Sequence, residues 1–429
     1  MTPQRSALQR LWWGLNGVQS HIGRRLFLSC IGGVADRVCW MYIIYHEIPM
    51  HPSNIVLLEF HPERDDLSPD KELRNGLSVA LRMGKTLWLA NDESVSIERL
   101  TLVEEDSRGQ SSFAREHRQF ALHDFFDLPL PAFDVEKERI NEADVEGLAC
   151  DGKYMWVTGS HSLRRKKPDP DDGNKRTHKR LATVSADGNR YLLGRIPMGE
   201  QDGIPTLVKE IEHKGKRRTA AMLRGDAHGN ELTAELRLDE HIGPFLAIPG
   251  KDNGFDIEGI ALAGKRVLLG LRGPVLRGWA TIIEIAPVDD ENPGSLRLAP
   301  LDVDGNLYRK HFLDLGGLGI RDLCKQGRDL LILAGPTMDL DGPVTLFRWA
   351  GGAEPDGETV VSSAMLEHVM NLPFGQGVDH PEGIALFASR DGTDEGLLVV
   401  HDSASPSRQI GESTLVADVY PLPSRKKKR

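Results

Sequence analysis

Cysteine is scarce in this chain: four residues in 429, Cys30, Cys39, Cys150 and Cys324, with none of the close paired spacing that holds zinc. Cys150 and Cys324 have apolar neighbours, which reads as buried free thiols and fits a reducing compartment. A basic excess is missing as well. Lys and Arg number 53 against 63 Asp and Glu, and the formal charge of -10 argues against a general nucleic-acid binder, whose phosphate contacts need a basic face. No apolar run is long enough to span a bilayer. The strand-Gly-x-Gly-x-x-Gly fingerprint, the phosphate-binding loop ending in Gly-Lys-Ser/Thr, His-Glu-x-x-His and Gly-x-Ser-x-Gly are all absent. A nucleotide cofactor and serine-hydrolase chemistry are therefore not expected.

Glycine and proline, at 44 and 25 residues, are plentiful, as many turns between short strands require. Mean hydropathy of -0.33 describes a soluble globular chain. Two basic stretches depart from the average charge. Arg164 to Arg180 is interleaved with Pro168, Asp169, Asp171 and Asp172 and reads as a solvated loop, and Arg425 to Arg429 reads as a frayed tail.

Four phrases repeat: Asp144-Val-Glu-Gly-Leu-Ala149, Asp256-Ile-Glu-Gly-Ile-Ala261, Gly319-Ile-Arg-Asp-Leu-Cys324 and His380-Pro-Glu-Gly-Ile-Ala385. Each is followed by a turn and a second apolar run, Tyr154–Val157, Arg266–Leu269, Asp329–Leu333 and Gly396–Val400. A weaker copy is Arg74-Asn-Gly-Leu-Ser78 with Thr86–Leu89. Such periodicity implies one supersecondary unit repeated around an axis. Outer strands with period-two alternation follow, and a closing phrase such as Met370-Asn-Leu-Pro373 or Leu246-Ala-Ile-Pro249 ends the unit, because proline cannot continue a ladder.

Four-stranded units of this kind close radially, so the expected fold is an all-β propeller. From Gly76 to Gly147, Gly259, Asp322 and Gly383 the steps are 71, 112, 63 and 61 residues. The long step holds a degenerate repeat after Arg195-Ile-Pro197 or an insertion, with a short helix expected over Asn230–Glu240. Six blades are expected, with five or seven the nearest alternatives. The propeller is placed at residues 50–422, a basic tail at 423–429, and a separate segment at 1–49. That segment carries Arg24-Arg25 before a short apolar stretch, like a faint twin-arginine export signal, but Asp36 and Arg37 cut it short, and Met50 is read as the working start. The cytoplasm is the expected location, with export as the alternative.

In a blade the start of the inner strand lies beside the end of its hairpin partner. Glu146, Glu258 and Glu382 are thus expected on one rim with Asp92, Asp402, Arg272, His161 and His401. Like charges around one axis need something positive between them. Ca²⁺, with roughly 6 to 8 oxygen ligands, suits Glu146, Glu258, Glu382 and Asp92. Arg321, standing where its repeat would have Glu, and Arg272 could instead neutralise them as ion pairs. A purely structural alternative is that each Glu accepts backbone hydrogen bonds from the next blade. His161 is the candidate general base. Arg272, Arg321, Asp402 and His401 are candidate ligand contacts.

The phrases Asp144–Ala149 with Gly159-Ser-His161, Lys251–Ile260, Gly270–Pro274 and His380–Ile384 resemble a bacterial domain-of-unknown-function family over about Asn54–Leu422. The resemblance implies a β-propeller without an established reaction. The Glu-Gly entry to each inner strand is similar to calcium-dependent lactonase, phosphotriesterase-like and phytase-like propellers, which implies an axial cation that polarises an ester or phosphate oxygen. Arg321 departs from such an all-carboxylate ring. Two functions follow as expectations: a metal-assisted hydrolase of esters, lactones or phosphoesters, or a non-catalytic propeller that binds a small ligand or protein across its mouth. Nucleic acid and membrane are not expected partners.

Overall fold

The computed structural model describes residues 50–423 except 69–70, 104–110, 137 and 389–394. The expectations for residues 1–49 and for the basic run 425–429 lie outside the described residues. Strand β1 is Asn54–Glu59. Unit one is β2 (Leu77–Met83), β3 (Thr86–Asn91), β4 (Ser96–Val103) and β5 (Ser111–Ala121). Unit two is β6 (Val145–Cys150), β7 (Tyr154–Gly159), helix α1 (Asn174–Leu181) in the connection, β8 (Leu193–Gln201) and β9 (Ala221–Leu223). After helix α2 (Glu231–Leu236) comes unit three: β10 (Asp256–Ala263), β11 (Arg266–Gly273), β12 (Trp279–Ile285), β13 (Ser295–Leu298) and β14 (Tyr308–Asp314). Unit four is β15 (Gly319–Gln326), β16 (Asp329–Gly335), β17 (Val344–Trp349), β18 (Thr359–Val361) and β19 (Leu366–Leu372). Unit five is β20 (His380–Ala388), β21 (Glu395–Asp402) and β22 (Thr414–Pro421), completed by β1.

Within each unit four strands pair antiparallel in chain order, β13 and β18 standing outside this series, and β1 supplies the fourth strand of unit five by pairing Asn54 with Val419. β1 also runs parallel to β5. β13 and β18 lie parallel against the outer strands β9 and β14 of the preceding units. Those edges would otherwise present unpaired backbone groups.

The inner strands pack in sequence, β2 on β6, β6 on β10, β10 on β15, β15 on β20 and β20 on β2, so the series returns to its start. The chain is all-β and propeller-like. Among the described residues five such units can be counted, one of the two alternatives to the expected six. The long step after Arg195–Pro197 holds β8 and β9 of unit two and an insertion, not a degenerate sixth unit. Helix α2 lies in that insertion, capped by Asn230, whose side chain accepts from Thr233 N while Thr233 Oγ1 accepts from Asn230 N. The basic stretch after Arg164 contains α1, which has no buried residue.

The core lies between neighbouring sheets. β16 is buried along its whole length, with Leu330 and Ile332 packed towards unit three and Leu331 and Leu333 towards unit five. β3 does the same, Leu87 and Leu89 facing unit five and Trp88 and Ala90 facing unit two. Period-two alternation therefore assigns residues to two different interfaces, which is why these second strands read as unbroken apolar runs. At about 25 cal/mol per Å² of apolar area, each such interface is the main favourable term holding unit to unit.

Candidate functional site

Every inner strand carries a β-bulge at the same height. The register with the hairpin partner shifts between Leu77 and Val79, Val145 and Gly147, Ile257 and Gly259, Ile320 and Asp322, and Pro381 and Gly383. The five skipped residues are Ser78, Glu146, Glu258, Arg321 and Glu382. A bulge leaves one residue out of the ladder and re-aims its side chain. In unit one the equivalent residue is Ser78, so Gly76 is not the counterpart of Gly147.

The residue after the bulge faces the next inner strand at close quarters. A Cβ on Gly383 would lie 2.8 Å from the backbone of Val79 and Ala80, and one on Gly259 would lie 2.9 Å from Leu323 N. Glycine is required there because no side chain fits. Unit four has Asp322 instead. Its carboxylate accepts from Leu323 N at 2.7 Å and from Ile384 N of unit five at 2.8 Å. Ser78 Oγ donates to Val145 O at 2.7 Å. Stapling between units, considered above for the glutamates, is thus made by Ser78 and Asp322 at these two junctions.

The bulge glutamates divide into two groups. Arg321 lies between Glu258, at 2.8 Å, and Glu382, at 2.9 Å. Arg272 reaches Glu258 at 2.5 Å and also pairs with Asp256. An alternating chain of charge thus runs Glu382, Arg321, Glu258, Arg272, Asp256. Burial opposes the charge of Arg272 and Arg321, but these carboxylates more than offset it and hold both guanidiniums firmly protonated.

Glu146 forms no ion pair with an arginine among the described residues, although the charge of Arg272 is felt there. One carboxylate oxygen from each of Asp92, Asp144 and Glu146 lies within 4.8 Å of the others. Among the described residues, neither Asp92 nor Glu146 forms an ion pair, while Asp144 pairs with Arg190 at 2.7 Å. Burial, then the charges of Glu258, Asp144 and Asp92, pushes Glu146 well above the ordinary carboxylate range. Burial, then Asp402 and Asp144, does the same to Asp92. Burial also raises Glu382, against the pull of Arg321.

These groups line two adjoining hollows. The inner one, about 180 Å³, is bounded by Asp92, Asp144, Glu146, Glu258, Arg190 and Arg272 among others. The outer one, about 400 Å³, is bounded by Arg321, Lys167, Met338, Leu340, Phe374 and His380 among others. Lys251, Arg272, Glu382 and Asp402 belong to both. Glu93, adjacent to Asp92, turns to Lys71 at 2.5 Å.

The two expected histidines do not line either hollow. His161 is buried, its Nδ1 against Gly159 O at 2.9 Å and its Nε2 accepting from Asn230 Nδ2 at 2.7 Å. Burial outweighs the Gly159 carbonyl and lowers it to about 4, so it is neutral at pH 7. His401 is buried with Nε2 3.2 Å from Arg408 Nη2, and burial and then Arg408 lower it to about 3. Asp144, Arg190 and Lys251 were not singled out from sequence. Asp144 did carry a signal, since it stands two residues before Glu146, but Arg190 comes from a 3-10 turn, Gly188–Tyr191, outside the repeat.

Fold and site together define a class: an all-β, propeller-like protein with a strongly charged mouth. The chain belongs to the family described as "Protein of unknown function (DUF3616)", whose model matches residues 76–418. No curated protein matches it in sequence. Among solved structures it is similar to the glutaminyl cyclase of Myxococcus xanthus, at 9% identity and TM-score 0.33, covering 87% of this chain and 100% of that one. It is also similar to a protein assigned as a 6-phosphogluconolactonase from Bacteroides uniformis, at 15% identity and TM-score 0.27, covering 80% and 71%. A third is an exo-β-1,3-galactanase from Phanerochaete chrysosporium, at 11% identity and TM-score 0.35, covering 82% and 61%. These alignments are too loose to define a fold or a chemistry. No described helix is long and apolar enough to cross a membrane.

Proposed function

We propose that the chain is a five-bladed propeller that binds a divalent cation, Ca²⁺ by the chemistry of its donors, together with a small polar ligand in the mouth. Asp92, Asp144 and Glu146 would hold the cation. One observation carries this reading: Glu258 and Glu382 are neutralised by arginine, whereas Asp92 and Glu146, half-buried beside the buried Asp144, lack an ion pair among the described residues. Carboxylates this close repel unless a cation joins them, and hard oxygen donors suit Ca²⁺.

A cation bound there would supply Lewis-acid polarisation of an ester, lactone or phosphoester oxygen. Around it, Arg272 and Arg321 keep Glu258 and Glu382 occupied and leave the other carboxylates free to coordinate. His161, with both ring nitrogens engaged, supports the rim from behind through Asn230 and does not touch the ligand.

Calorimetric titration of the purified chain with Ca²⁺ tests the cation: saturable binding is expected, and its absence sinks the proposal. Turnover on a panel of esters, lactones and phosphoesters, abolished by chelator, would identify a hydrolase. Cation binding without turnover favours the second reading, a non-catalytic binder, which is supported by both rim histidines lying outside the two hollows.

A further inference from the structure

Among the described residues, one basic side chain of the mouth forms no ion pair, although its charge acts on Glu382. Arg164 is 2.5 Å from Glu142, Arg165 2.6 Å from Asp252, Arg190 2.7 Å from Asp144, and Lys167 3.4 Å from Asp339, while Arg272 and Arg321 are engaged as described. Among the described residues lining the two hollows, Lys251 alone of the basic side chains forms no ion pair. It lies where the hollows meet.

The turn that presents it is held on several sides. Gly250 N donates to Leu163 O at 3.0 Å, Asn253 N to Gly250 O at 3.1 Å, and Gly254 N to Pro249 O at 3.1 Å. Val275 N donates to Asn253 Oδ1 at 3.0 Å, and Asp252 bridges to Met338, which also lines the outer hollow. A Cβ on Gly254 would lie 1.9 Å from Ile248 O, so the backbone admits only glycine there. A lysine on so fixed a turn brings a strongly hydrated point charge with three donors to a set place.

We infer that Lys251 is the anion-receiving, specificity-determining residue of the mouth, and that the ligand carries an oxyanion, a phosphate or a carboxylate. This rests on the mouth being the ligand site, as proposed above. The carboxylates of the inner hollow repel an anion by themselves. A cation held by these carboxylates with coordination positions left open would take an oxyanion oxygen directly, while Lys251 meets the same oxyanion from the other hollow. The outer hollow, about 400 Å³, then receives the remainder of the ligand. A neutral ester would leave Lys251 without a partner.

Lys251→Gln and Lys251→Arg test the assignment, because the side chain is exposed and its loss leaves the core untouched. Ca²⁺ is titrated first, then methyl phosphate and acetate into the Ca²⁺-saturated protein at low ionic strength. The parent should bind at least one of the anions. Lys251→Gln should weaken that binding about tenfold, and Lys251→Arg should restore it to within a few-fold. Ca²⁺ should bind Lys251→Gln as tightly as the parent or more tightly, since a positive charge near the carboxylates has gone. Preference for methyl phosphate assigns a phosphoester ligand, and preference for acetate a carboxylate-bearing one. Equal anion affinity in parent and Lys251→Gln, no binding of either anion, or weaker Ca²⁺ binding by the variant overturns the inference. If Ca²⁺ does not bind the parent, the cation reading falls and the inference with it, whereas Ca²⁺ binding with no effect of Lys251→Gln on the anions overturns the inference alone.

Discussion

The two sides of the mouth contain similar carboxylates in opposite electrostatic situations. On one side Glu258 and Glu382 share Arg321, and Arg272 extends the chain to Asp256. On the other, Asp92 and Glu146 crowd Asp144, and among the described residues the three have one ion pair, Asp144 with Arg190. The difference comes from a single position, the bulge residue of each inner strand, which is arginine in unit four and glutamate in units two, three and five. A buried ion pair stabilises little in itself, yet losing one member is costly because the survivor stays buried and charged. The paired side should therefore behave as structure and the unpaired side as a binding site.

Replacing Arg321 with Met should give the largest effect. Buried Glu258 and half-buried Glu382 lose their shared partner, Glu258 keeping Arg272, and about 3 kcal/mol of stability should go, read from the urea midpoint. A smaller loss, about 1–3 kcal/mol by the same measurement, is expected for Asp322→Ala, which leaves Ile384 N buried without an acceptor. On the other side the sign reverses. Asp92→Asn removes a repelling charge, so the cation-free protein should be no less stable than the parent, while Ca²⁺ should bind at least tenfold more weakly, about 1.4 kcal/mol. A destabilised Asp92→Asn protein with unchanged Ca²⁺ affinity would erase the distinction between the two sides.

The smallest effect is a pH slope. Glu146 is held well above its ordinary value, so between that value and its folded one the native state binds more protons than the unfolded chain. Its contribution to stability then falls as pH rises through this window and is regained in acid. Buried His161 and His401, lowered to about 4 and about 3, contribute the opposite slope below their unfolded value. Both are present in Glu146→Gln, so the difference between parent and variant isolates the carboxylate. Without divalent cation, the stability of the parent relative to Glu146→Gln should improve from pH 8 to pH 5, and saturating Ca²⁺ should flatten it. A flat difference in the absence of Ca²⁺ would contradict the assignment of Glu146 to the unpaired side.

Much of the architecture was legible because it rests on alternation. Runs such as Leu330-Leu-Ile-Leu333 have to be buried on both faces, and that requirement gives inner hairpins packed between neighbours. The number of units was not legible. β9 has only three residues, its edge is covered by β13 from the next unit, and a basic insertion lengthens the same interval. At the mouth, Glu146, Glu258, Glu382 and Arg321 stood out through their repeated place before the second residue of the bulge. What periodicity does not encode is the pairing: Arg190 and Lys251 arrive on a turn and a loop outside the repeat, while His161 is engaged by Gly159 O and Asn230 and His401 lies against Arg408.

The clasp between β1 and β22 sets an order on assembly. The strand that leaves the ribosome before any other described here finds its antiparallel partner only when Thr414–Pro421 has been made, so until synthesis is nearly complete Val56 and Leu58 lack their burial against the last unit. Closing so long a loop is entropically slow. A chain cut short before Thr414 would therefore fail at its beginning as well as at its end, leaving β1 as a sticky ribbon for chaperones or for another copy.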